Sequence, residues 1–150
     1  MPATVNTASE SRIMTYPNPI VSVDWLATHF NDVNLVIADC RFALMAPALG
    51  QQQYNAGHIP GAIHFDLNRD LSSPVKRHGG RHPLPDIGKL AAKLRWAGLN
   101  SFAPPICKSH GETPTHPAGT GPSLVVVYDD SRFAFAARLW WLLKYMGHDQ

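Results

Sequence analysis

The residues best placed to do chemistry stand where an apolar run meets a helix. Leu124 to Tyr128 (LVVVY) reads as a buried strand, and Asp129-Asp130-Ser131-Arg132 follows it directly. In open parallel α/β sheets, ligands and reactive groups collect at the C-terminal ends of strands, where a loop feeds a helix. Unpaired amides and the positive end of the helix dipole make that turn a site for an anion, or for a thiolate made acidic by the same field. A carboxylate at Asp129 can cap those amides from within the chain, as an internal surrogate for the anion or as a simple helix cap. Either way it brings no nucleophilic sulfur to the position.

Other candidates are weaker. Cys40 follows Asp39 inside an apolar run and reads as a small buried residue. Cys107, His110 and His116 lie in a stretch rich in Pro and Gly. With no second cysteine pair they make a poor metal site, so no metal or other cofactor is expected. His58, in Gly57-His58-Ile59-Pro60-Gly61, reads as a hydrogen-bonding residue of a loop, and Asp39 with Arg41 as a packing pair at a strand end.

The elements that must position these residues alternate. Ser22 is a fitting N-cap for a short helix from Val23 to Phe30, with Val23, Leu26, Ala27 and Phe30 on one face. Asn34 to Cys40 is a nearly continuous apolar run, as in a strand covered on both sides. Gln51 to Ala56 suits one helical turn, and Ala62 to Phe65 a second short strand. Ser72 to Pro85 is a long surface loop. Asp86 then caps a helix in which Ile87, Leu90, Ala91, Leu94 and Ala97 repeat at helical spacing, with Gly98 at its end. Its Lys89, Lys93 and Arg95 read as a solvated face. After the LVVVY strand a helix is expected from about Arg132 to Met146, stopped by Gly147. This order predicts a three-layer α/β fold with a parallel sheet flanked by helices.

At 150 residues the chain has the size of one domain, with 45% apolar and 16% charged residues. A net charge of +2, scattered rather than striped, gives no reason to expect nucleic acid. No apolar run is long enough to span a bilayer. Residues 1–19 are polar and lack a secretory pattern, which predicts a disordered N-terminal tail and a domain over residues 20–150. Residues 101–123, with five prolines among glycines and no apolar period, are expected to be a disordered insert. Two cysteines make no disulfide framework, which favours a reducing cytoplasm.

Several ordered motifs together resemble one family. Gly57 to Ala62 (GHIPGA), the IHFDLN stretch after it, Gly79 to Pro85 (GGRHPLP) and Val125 to Asp130 (VVVYDD) look like the N-terminal half of a tandem-domain rhodanese. Ala38 to Phe42 (ADCRF) resembles that family's Asp-x-Arg segment, and Ala136 to His148 its following helix. The family comprises thiosulfate and 3-mercaptopyruvate sulfurtransferases, whose active copy places a cysteine directly after the strand. The resemblance sets Asp129 at the cysteine's position, with Asp130, Ser131 and Arg132 as the rest of the active-loop equivalent. It also places Arg81 and His82 at the cleft between two domains, where they could meet a carboxylate or sulfonate.

The resemblance therefore implies a non-catalytic N-terminal half whose partner is a missing C-terminal catalytic rhodanese domain. In that reading the chain is C-terminally truncated, without the last strand of its sheet. A stand-alone rhodanese-homology module that binds a protein or an anion is the competing reading. A phosphatase of the same fold is disfavoured, because it too needs a cysteine where Asp129 stands. The loop Asp130-Ser131-Arg132-Phe133 has no glycine, so its amides are not expected to close around a sulfur even in Asp129→Cys.

Overall fold

The computed structural model describes residues 19–99 and 124–148. The tail and insert expected at 1–19 and 101–123, and Cys107, His110 and His116 within the latter, fall almost wholly outside those residues. Within them, helices α1 (Val23–His29), α2 (Leu49–Ala56), α3 (Ile87–Trp96) and α4 (Ala136–Tyr145) alternate with strands β1 (Leu35–Asp39), β2 (Ile63–His64) and β3 (Leu124–Tyr128). The three strands form one parallel sheet in the order β2-β1-β3. The central strand is β1, with Leu35 opposite Leu124 and Asp39 opposite both His64 and Tyr128. All three strands therefore end on the same side, where Asp39 and His64 close their strands and Asp129 opens the loop after β3. The α/β class with a parallel sheet, expected from the alternation, is what the chain adopts.

The apolar periods explain most of the packing. Cys40 and Phe42 join Phe65, Leu90 and Leu94 of α3, and Leu139 and Leu142 of α4, in one buried cluster. Asp86 caps α3 by accepting from the Lys89 amide at 3.1 Å, and Gly98 leaves the helix with φ of 98°. That backbone region is open to glycine at little cost.

Four local expectations change. Ser22 does cap α1, at 3.1 Å from the Trp25 amide, but none of that helix is buried and Val23 is 83% exposed. Helix α2 has eight residues rather than a single turn, and seats Gly50 on the backbone of Arg41 and Phe42. Lys93 is not part of a solvated face. Its Nζ donates to Asp70 at 2.6 Å and to the His64 carbonyl at 2.7 Å, above the Phe65 ring. Finally, α4 begins at Ala136 instead of Arg132, because Arg132 and Phe133 take φ of 55° and 65°.

Candidate functional site

The turn after β3 is built around Asp129. Its Oδ1 accepts from the amides of Ser131 at 2.8 Å and Phe133 at 3.0 Å. Its Oδ2 accepts from Phe135 and Ala136, both at 2.8 Å. Four backbone donors thus converge on one carboxylate at the mouth of α4, whose N-cap residue, Phe135, offers no side-chain cap of its own. The left-handed conformations of Arg132 and Phe133 swing the amides inward. Each costs roughly 1–3 kcal/mol for a residue with a side chain. Hydrogen bonds to a charged acceptor stabilise by about 1.5–3 kcal/mol each, enough to offset that strain without glycine. The loop closes around an anion, and the anion is its own side chain.

The remaining loop residues are less enclosed. Asp130 is exposed and accepts from Gln53 of α2 at 3.1 Å and from the Ser131 hydroxyl at 3.3 Å. Arg132 is exposed at the outer turn of the loop.

Beneath this turn lies a second polar cluster. Arg41 donates to Asp39 through Nε and Nη2, the latter at 2.6 Å, and Nη2 also reaches the Gly57 carbonyl at 2.7 Å. The Tyr128 hydroxyl donates to Asp39 at 2.6 Å and accepts from the Ile59 amide at 3.4 Å. Burial alone would raise the Asp39 carboxyl, but the hydrogen bonds from Arg41 and Tyr128, with the guanidinium charge, hold it below the usual carboxylate range. The same burial, and the bond to Asp39, push the Tyr128 phenol up. The group thus ties β1 and β3 to the GHIPGA loop, in which His58 bonds the Tyr54 carbonyl at 2.8 Å and stacks on its ring. Asp39 and Arg41 pair as their sequence suggested.

Cys40 is fully buried, and its thiol is pushed well above its usual value by that burial and then by the nearby Asp39 and Asp129 charges. It is packing, not a nucleophile presented to solvent. Among the described residues, no group of three or more His, Cys, Asp or Glu side chains is arranged to hold a metal ion.

Arg81 and His82 lie on the loop between β2 and α3. Arg81 is exposed, whereas His82 is half-buried with both ring nitrogens enclosed and without a hydrogen-bond partner. What holds this loop is Arg138 of α4. Its guanidinium donates to the carbonyls of Leu71, His82 and Pro83 at 3.1–3.4 Å. Burial lowers the pKa of Arg138. Neither Arg138 nor the Tyr128 bridge was anticipated. A strand-end tyrosine and a helical arginine carry no spacing signal, and only the fold brings them to their partners.

Comparison with known proteins gives a consistent result. A family model described as a rhodanese-like domain matches residues 22–150. A probable 3-mercaptopyruvate sulfurtransferase of Pseudomonas aeruginosa is 42% identical over 129 residues, which are 85% of this chain and 38% of that protein. The 3-mercaptopyruvate sulfurtransferase of Escherichia coli K12 is 32% identical over 135 residues, again 85% of this chain and 38% of that one. Among solved structures, a 3-mercaptopyruvate sulfurtransferase from Leishmania major superposes with a TM-score of 0.62 at 29% identity, covering 86% of this chain and 30% of the other. The chain spans less than two fifths of the length of these relatives.

Proposed function

The chain belongs to the rhodanese-like domain family, and from that premise we propose that it serves as the non-catalytic N-terminal half of a two-domain thiosulfate or 3-mercaptopyruvate sulfurtransferase. In this reading a separate catalytic domain transfers sulfane sulfur to cyanide or a thiol. This chain supplies one wall of the cleft, with Arg81 and His82 toward the substrate's anionic group. The observation that carries the reading is the Asp129 carboxylate, which fills a cradle of four amides where a reactive anion would otherwise sit. A carboxylate has no sulfur to accept from a donor. Cys40, buried and held as a thiol, offers no substitute. The cytoplasmic setting in this reading rests on the low cysteine content of the chain alone. Among the described residues, no helix is long and apolar enough to cross a membrane.

A thiosulfate:cyanide assay on the 150-residue chain tests the reading. We expect no turnover above buffer, and none in Asp129→Cys. A single sulfur cannot satisfy amides arranged around two oxygens, and two of the four donors would lose their partner. Turnover by the unmodified chain that vanishes in Cys40→Ser would overturn the assignment.

A further inference from the structure

The loop between β2 and α3 carries a dense run of base. Lys76, Arg77, His78, Arg81 and His82 fall within seven positions, and no Asp or Glu occurs between Asp70 and Asp86. Lys76, Arg77, His78 and Arg81 are exposed. Among the described residues none of these four is in an ion pair. The carboxylates that bracket the loop are engaged elsewhere, Asp70 with Lys93 and Asp86 with the Lys89 amide.

The loop is held in shape from its base. The Ser73 amide donates to the Pro83 carbonyl at 3.3 Å, and Arg138 donates to the carbonyls of Leu71, His82 and Pro83. At the tip Gly79 and Gly80 take φ of 108° and 74°, and a Cβ on Gly79 would lie 3.2 Å from the Pro83 side chain. The turn therefore folds back on its returning limb, and Gly79 serves it both in conformation and in space. A loop fixed in advance loses little further freedom when it binds, so more of its contact energy appears as affinity.

Its open cations suit an extended anion with several charges, because one exposed charge pair contributes little by itself. Two features choose among extended anions. No Phe, Tyr or Trp lies between Phe65 and Trp96, so the loop offers no ring on which a nucleic-acid base could stack. Val75 and Leu84, one on each limb, are 68% and 46% exposed, and a phosphate chain has nothing apolar to set against them. We propose that the loop of residues 74–84 is a docking element for an acidic segment of a partner protein. Arg77 and Arg81 take carboxylates through their forked guanidinium groups, Lys76 adds a further charge, and Val75 and Leu84 receive apolar side chains set between the acids. The proposal does not rest on the sulfurtransferase reading, which uses Arg81 but neither Lys76 nor Arg77.

The probe is a fluorescein-labelled peptide, Glu-Glu-Leu-Glu-Glu-Leu-Glu-Glu, titrated into the full chain and followed by anisotropy. We expect saturable binding that weakens as salt rises. Lys76→Glu combined with Arg77→Glu should weaken it by about tenfold or more. The urea midpoint of that variant should match the parent's, since both side chains are exposed and unpaired. Lys89→Glu, which reverses an exposed cation of α3 outside the loop, should change affinity by no more than about twofold. Undiminished binding by the double variant, an equal loss in Lys89→Glu, or no saturable binding at low salt would overturn the loop as the site. A peptide with serine in place of leucine should bind more weakly. Equal affinity for that peptide, or tighter binding of polyphosphate or oligothymidylate at matched charge, would reject an acidic polypeptide as the occupant.

Discussion

Asp129 satisfies two pairs of amides with two equivalent oxygens, and no neutral side chain of the same shape can do so. In Asp129→Asn one pair of N–H groups faces an NH2 group, donor against donor. The site is partly open to water, so the stranded amides recover some hydration. The expected loss is about 1–3 kcal/mol, measured as a lower urea midpoint. A midpoint equal to that of the parent would mean the amides do not depend on the carboxylate. Asp39 makes a different demand, because its carboxyl is held below the usual range. A group whose folded pKa is depressed stabilises above its unfolded pKa, and that contribution is lost as pH falls through the folded value. Tyr128→Phe removes one of the donors responsible. The variant should therefore be less stable at neutral pH by about 1.5–3 kcal/mol. The gap should shrink as pH drops below about 4, where the carboxyl protonates in the unfolded chain and then in the folded one. Unfolding curves from neutral to acid pH would show this, and a gap of constant size would rule out Asp39 as its origin.

Elements were legible in the sequence where one signal decided them. Asp86, the apolar spacing from Ile87 to Ala97, and Gly98 fix α3, and the apolar runs fix β1 and β3. Long-range terms were not legible. A carboxylate reaching Phe135 and Ala136, six and seven residues ahead, forces Arg132 and Phe133 out of the helix they would otherwise start. Lys93 turns inward because Asp70 and the His64 carbonyl wait there, which helical spacing alone cannot reveal. The first turn of α2, ahead of the expected Gln51, depends likewise on Gly50, where a Cβ would fall onto the Arg41 carbonyl. Replacing a helical glycine by alanine ordinarily gains up to about 1 kcal/mol from propensity. Here the clash is with backbone, which cannot swing aside, and overpacking of this kind costs about 1–3 kcal/mol. Gly50→Ala should therefore melt lower than the parent. A higher melting temperature would show that α2 can slide away from Arg41 at little expense.

For the molecule as a whole, the sheet order leaves its two lateral strands unequal. Strand β2 is only two residues long, whereas β3 presents five apolar residues along one margin, without the proline or charge that usually protects an edge. The Leu124 amide bonds the Asn34 carbonyl, and the Tyr128 carbonyl accepts from Cys40. In a parallel ladder that phase turns Leu124, Val126 and Tyr128 toward β1, and Val125 and Val127 away from it. Among the described residues, no strand lies on that outer side. Hydrogen exchange on the 150-residue chain should then alternate along β3, with the Val126 and Tyr128 amides protected and those of Val125 and Val127 exchanging much faster. Strong protection of Val125 and Val127 in the dilute chain would mean that a further strand, from this chain or from a second copy, completes the sheet. The edge would then be an occupied interface, and the stability of the fold would depend on that added strand as well as on the cluster around Leu139.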